Sequence, residues 1–188
     1  MTTHTALTGQ FLIAMPTLDD PNFAHTVTYI CQHSEEGALG IVISRPLEDM
    51  RLKDILASMQ IEAGNEAIAA EPVYFGGPVQ PERGFVLHTP VGDWHGTLAV
   101  DDRVGLTTSR DILEAIAAGR GPEKFLVALG YAGWGAGQLE REMLENAWLN
   151  VKADMEILFD LPPAQRWKAA AARLGIDLDR MSSQVGHG

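Results

Sequence analysis

The 188-residue sequence holds a single cysteine, Cys31. It therefore has no intrachain disulfide and no paired-cysteine metal or redox motif. That usage fits a reducing compartment. Positive charge is sparse and scattered: 14 Lys and Arg against 25 Asp and Glu give a formal charge of −11, and no three basic residues are consecutive. An acidic chain repels polyanions, whereas nucleic-acid binders carry a concentrated basic face. Direct nucleic-acid binding is therefore not expected. No apolar run approaches the roughly 20 residues of a membrane helix. The opening MTTHTALTGQ lacks the basic and apolar segments of a secretory signal. A cytoplasmic setting with no membrane association is expected. Also missing are a GxSxG elbow, an HExxH helix and a Walker loop. No catalytic residue, metal site or cofactor is assigned.

What remains is ample material for a core: 46% of residues are hydrophobic and 21% charged. A chain of this length buries about 70% of its unfolded surface. QFLIAM (10–15) reads as a buried strand, and PTLDDPNFAH (16–25) as an ordered loop. TVTYICQH (26–33) has strand composition and period, and SEEGALG turns it into a second strand, GIVISRP, as a hairpin. RLKDILASM aligns Leu52, Ile55, Leu56 and Met59 on one helical stripe. Residues 60–71 show no period and are predicted to be loop.

VYFGGPV and GFVLHTP are further strands, and GTLAVDDRVGLTTS is two short ones joined at Asp101–Asp102. Thr108 or Ser109 caps the helix DILEAIAA, which ends at Gly119. KFLVALGY is apolar enough to lie mid-sheet. After a glycine-rich loop, a helix turns Leu139, Met143, Leu144, Ala147 and Trp148 inward. At least one of WLNV and MEILF is a strand. Pro162 and Pro163 open a last helix lined by Trp167, Ala170, Ala171 and Leu174. The fold class is α+β: one domain over 1–188 with a mixed, largely antiparallel sheet flanked by helices, and loose tails at 1–8 and 181–188.

The glycine-rich stretch GYAGWGAGQLE (130–140) joins a strand to a helix, which are the parts of a phosphate site. The phosphate-binding lysine is absent, the spacing is not GxGxxG, and Glu140 and Glu142 occupy the first helical turns. The glycines are read as a tight strand-to-helix turn. Trp134, between two of them, either plugs the core or faces a pocket, and Trp is enriched at binding hot spots. Cys31 and His33, two apart on one strand face, with His25 and His88 elsewhere, make a weak metal pattern. A buried thiol and a strand-end histidine account for them more simply. The adjacent acids Asp19–Asp20 and Asp101–Asp102 suit turns.

AMPTLDDPNF (14–23), GALGIVISRP (37–46), YFGGPV (74–79), GFVLH (84–88) and GYAGWGAGQLE occur in that order. Together they resemble the AlgH/YqgE family, with Ser44 standing where the family more often has Asn. The resemblance implies a single α/β-type domain with a bifurcated or barrel-like sheet flanked by helices, in a bacterial cytosolic protein. It implies no reaction. Members are labelled transcriptional regulators on genetic grounds, not on a DNA-binding motif. The motif positions are the candidate ligand- or partner-binding residues: Pro16, Asp20, Pro21, Phe23, Gly76, Gly77, Pro78, Gly133, Trp134, Gly135 and Gln138. Trp134, Phe23 and the 76–78 turn are expected to line one pocket.

Three functions are compatible with this. The first is a non-enzymatic regulator that binds an unknown small ligand or protein, with any effect on transcription indirect. The second is a hydrolase or transferase built near Cys31, His33 or His88. The third, and least favoured at −11, binds DNA directly.

Overall fold

The computed structural model describes residues 6–181. Its ten strands are β1 (Gln10–Ala14), β2 (Val27–Ser34), β3 (Gly37–Val42), β4 (Pro46–Arg51), β5 (Pro72–Phe75), β6 (Val79–Thr89), β7 (Leu98–Ala99), β8 (Gly105–Thr107), β9 (Lys124–Gly135) and β10 (Trp148–Lys152). The helices are α1 (Leu52–Ser58), α2 (Glu66–Ala69), α3 (Arg110–Ala117), α4 (Gln138–Leu144) and α5 (Pro163–Ala172). The strands form one connected sheet in the order β10-β1-β2-β3-β9-β6-β8-β7, with β4 and β5 branching off through β9. It curls into an antiparallel half-barrel flanked by helices, and β5–β9 is the parallel pair. The expected mixed, largely antiparallel α+β architecture is what the chain adopts.

β9 organises the sheet. Its first half pairs with β6 on a long antiparallel register and with β5 at Val127–Leu129. Its last four residues pair instead with β3, Trp134 opposite Ala38 and Gly135 opposite Gly37. Gly76 sits where the partners change: Gly76 N–H donates to Leu129 O (2.8 Å), and Gly76 O accepts from Val42 N–H (2.8 Å). The 76–77 backbone lies so close on β9 that a Cβ on Gly76 would meet Gly130 O. A Cβ on Gly77 would meet the Tyr131–Ala132 peptide.

Both faces of the sheet are covered, which explains why β2 is buried continuously from Val27 to Cys31 rather than alternately. Phe11, Ile13, Tyr29, Ile41 and Ile43 pack with Trp167, Ala170 and Ala171 of α5. Leu12, Ile30 and Ala132 pack with Trp134, Trp148 and Leu139 of α4. Val73 of β5, Val86 of β6 and Val127 of β9 meet Leu52 and Leu56 of α1 and Ile112 and Ile116 of α3.

Several expectations are corrected. The supposed loop 130–135 is the end of β9, so Trp134 stands on a strand. The real turn is confined to Ala136 and Gly137, the latter in left-handed conformation before α4 (φ +75°). Leu144 is not inward but 85% exposed, and Trp148 begins β10 instead of ending a helix. Leu174 is likewise exposed, beyond the end of α5. Residues 46–51 form a strand paired with β5, and the 60–71 segment contains α2, capped by the Asn65 side chain. MEILF becomes a π-helical segment, Glu156–Asp160. Residues 1–5 and 182–188, most of the expected loose tails, lie outside the described residues. Leu7 is buried, and its N–H donates to His33 Nδ1 (2.9 Å).

The contact at Gly77 is backbone against backbone, so no side chain can yield to an added methyl. Gly77→Ala is expected to lower stability by about 2–3 kcal/mol, which for this size is roughly 5–10 °C in Tm. Gly84→Ala, whose Cβ meets nothing within 4 Å, is expected to change stability by less than about 1 kcal/mol in the same thermal unfolding measurement.

Candidate functional site

The loop between β1 and β2 is held in shape by its own carbonyls. Phe23 and Ala24 N–H both donate to Asp20 O, and Asn22 N–H donates to Asp20 Oδ1 (2.8 Å). Arg45 then clamps the loop from outside: Nη1 donates to Pro21 O (2.8 Å) and Asn22 O (3.1 Å), and Nη2 to Ala24 O (2.8 Å). A planar guanidinium suits this, because its donors point along fixed directions. His25 takes a positive φ and stacks on Trp167 at 4.5 Å. Trp167 in turn donates to Ala14 O (2.9 Å). The result presents Phe23 to the face of the sheet that carries α4.

There Phe23 meets two tryptophans. Its ring lies 6.2 Å from Trp134 and 5.5 Å from Trp148, and the indoles are 6.0 Å apart at 75°. Phe23–Trp148 and Trp134–Trp148 meet edge to face, which is favourable because ring edges are positive and ring faces negative, while Phe23–Trp134 is tilted at 32°. Both indole N–H groups donate to one carboxylate oxygen, Glu142 Oε1, at 3.1 Å from Trp134 and 2.9 Å from Trp148. Gln138, one helical turn earlier, donates to Glu142 Oε2 (2.8 Å) and accepts from Gly135 N–H (2.9 Å). Glu142 thus ties β9, β10 and α4 together.

Beside these rings is a cavity of about 300 Å³ lined by Leu18, Asp20, Phe23, Gly133, Trp134, Gln138, Glu142, Glu145, Ala147 and Trp148. It brings together Asp20, Phe23, Gly133, Trp134 and Gln138 of the sequence candidates. A second, shallower depression of about 490 Å³ shares Gly133 and Trp134 and runs along β2 and β3. Pro16, Gly76, Gly77, Pro78 and Gly135 do not line the 300 Å³ cavity. Pro16 lies in the turn closed by Leu18 N–H to Met15 O (2.9 Å), and Pro21 contributes only its carbonyl, to Arg45. The 76–78 turn, expected in the pocket, instead makes the close crossing over β9.

Sequence reading missed Glu142, Trp148 and Arg45. The Gln138–Glu142 spacing of four was a usable signal for the first. Trp148 continues the helical spacing of Leu139, Met143 and Leu144, which hides that it starts a strand. Arg45 gave no sign, since its partners are carbonyls more than 20 residues away.

The histidine–cysteine pattern dissolves in three dimensions. A bulge at Cys31 pairs Ile30 with Gly40 and Gln32 with Leu39, leaving Cys31 unpaired. Cys31 consequently joins the Tyr29 side of the sheet, while His33 turns to the Leu7 side and approaches Glu140 Oε1 (3.5 Å). Burial pushes the Cys31 thiol up, away from the reactive thiolate. His88 is buried elsewhere, with Nδ1 on Pro90 O (3.0 Å) and Nε2 on Thr107 Oγ1 (2.7 Å). Burial lowers its pKa. Among the described residues no three His, Cys, Asp or Glu are grouped to hold a metal ion. No helix among them is long and apolar enough to cross a membrane.

With this geometry established, the similarities are informative. A family model described as AlgH-like matches residues 11–179. The chain is 61% identical to a UPF0301 protein of Thioalkalivibrio sulfidiphilus over 188 residues, 100% of both chains. It is 56% identical to one from Methylococcus capsulatus, covering 97% of this chain and 96% of that one. It superposes on the solution structure of the AlgH protein from Pseudomonas aeruginosa with a TM-score of 0.80 at 50% identity, covering 100% and 99% of the two chains. A protein from Corynebacterium diphtheriae, at 18% identity, shares the fold with a TM-score of 0.73 over 97% and 94%.

Two outcomes follow from the hydrogen bonding. Glu142→Leu strands two indole donors, and at about 1–3 kcal/mol for each unsatisfied buried group the expected loss is about 2–6 kcal/mol in urea unfolding. Glu142→Gln, which keeps an acceptor, is expected to recover most of it. Leu144→Glu on the same helix, fully in solvent, is expected to change little. For His88, the folded pKa lies below the unfolded value of 6.5. Its contribution is therefore present above pH 6.5 and lost as pH falls below it. The Tm gap between wild type and His88→Gln is expected to narrow from pH 7.5 to pH 5.

Proposed function

The chain belongs to the AlgH-like family, and we propose that it is a binding protein, not a catalyst. It recognises a small ligand or a protein partner in the cavity bounded by Phe23, Trp134 and Trp148. The observation that carries this reading is the joining of both indoles to Glu142 beside that cavity. Four separate segments of the chain converge there: the 16–25 loop, β9, α4 and β10. Aromatic rings with few rotatable bonds, held in place by a shared acceptor, form a preorganised contact surface. The other chemistry-bearing groups are occupied structurally: His88 bridges Pro90 and Thr107, and Cys31 is a buried thiol.

The protein works in the cytoplasm, a setting that its lone buried thiol suits. Any regulatory effect on transcription passes through the bound partner, because a chain of charge −11 is repelled by DNA.

The four tryptophans supply the test. In ¹H–¹⁵N spectra, titration with pooled metabolites and with fractionated bacterial cytosol is expected to shift the indole resonances of Trp134 and Trp148. Those of Trp94 and Trp167 are expected to stay in place. Shifts confined to other regions, or none with any fraction, would contradict the proposal.

A further inference from the structure

The geometry points to a ligand class for this cavity: an organic cation, an ammonium or guanidinium head on a short apolar stem. The inference rests on the cavity being the binding site. Three carboxylates line it, Asp20, Glu142 and Glu145, and no Lys, Arg or His is among its lining residues. Its walls are otherwise aromatic and apolar apart from Gln138, whose amide is engaged by Gly135 N–H and Glu142. The electropositive N–H edge of each indole is spent on Glu142, so what Trp134 and Trp148 offer elsewhere is carbon and π surface. A cation is attracted to ring faces and to carboxylates alike, while an anion is disfavoured by both.

Glu142 itself has capacity left. A carboxylate has about four lone-pair sites. Three are engaged, two by the indoles and one by Gln138. Arg45, which clamps the 16–25 loop, has its donors committed to three carbonyls. The volume, about 300 Å³, is the lower end of what small-ligand pockets use. It suits a side chain or a small amine. The same head group has two sources: a free amine such as a choline-like metabolite, or a lysine or arginine side chain of a partner protein.

The test is titration of the full chain with choline, n-butylammonium and their neutral carbon isosteres, 3,3-dimethylbutan-1-ol and pentane, and with butyrate as the anion. Trp134 and Trp148 indole shifts give the affinity. Choline or butylammonium is expected to bind at least tenfold more tightly than its neutral isostere. The affinity is expected to fall with added salt, and to drop about three- to tenfold in Asp20→Asn and again in Glu145→Gln. Both substitutions are at accessible positions and leave the Glu142 link intact, so folding is preserved.

A lysine-containing peptide binding more tightly than the free amine assigns the protein source, and the reverse order assigns the metabolite. Either order supports the cation. Equal binding of the neutral isostere, or tighter binding of butyrate, overturns the cation class while leaving the cavity as the site. Silence from every charged and neutral probe also overturns the cation class. Only when cytosolic fractions leave both indoles unmoved as well does the underlying binding reading fall with it.

Discussion

One close crossing supports the rest of the molecule. The Gly76–Gly77 backbone lies directly on Gly130–Ala132 of β9, at a separation that excludes any Cβ. Gly76 at that point hydrogen-bonds both β3 and β9. Because the crossing fixes where β5 leaves β9 and where β3 takes over, it sets the curl of the sheet. It also sets how far β9 runs on past its apolar centre. Those extra residues carry Trp134.

The cavity follows from that extension. Had the chain turned at Gly130, the indole would lie on a loop with nothing to orient it. On a strand, alternation aims Trp134 at the α4 side, where Trp148 arrives from β10, the edge strand four positions away in the sheet order. Two large rings from distant strands need a common partner for their N–H groups, and Glu142 supplies it from the helix between them. The loop carrying Phe23 completes the group. It is held by Arg45 rather than by secondary structure, so local backbone order is obtained from a side chain on the far side of the β2–β3 hairpin.

The α5 side uses the same device in a drier setting. Arg166, 3% exposed, donates to Ile43 O (2.7 Å) and Leu161 O (3.0 Å) and stands over the Tyr74 ring. Burial lowers its pKa, opposed by Tyr74. A buried guanidinium is costly, and carbonyl acceptors with a ring face offset part of that cost. Trp167 beside it closes the end of β1 through Ala14 O. In both places an arginine donates to backbone carbonyls outside the strands, beside an aromatic ring.

Much of this was legible from the residues. The apolar runs located β1, β2 and β9, and the stripe at Leu52 and Leu56 located α1. The Gly119 stop located the end of α3, since these signals depend on local period and propensity. Five of the candidate positions, Asp20, Phe23, Gly133, Trp134 and Gln138, do share one cavity. Four features were decided elsewhere. The bulge that separates Cys31 from His33 depends on a partner strand. So does the continuation of β9 through its glycines, which β3 stabilises by pairing. The exposure of Leu144 depends on α4 ending before Trp148 is drawn into β10. The meeting of Trp134 and Trp148 on Glu142 depends on the whole sheet closing. The sequence by itself determined which segments are strands and helices and which residues are chemically distinctive. Only the tertiary structure decided which of them touch, because register and crossing are set by pairing between segments far apart in the chain.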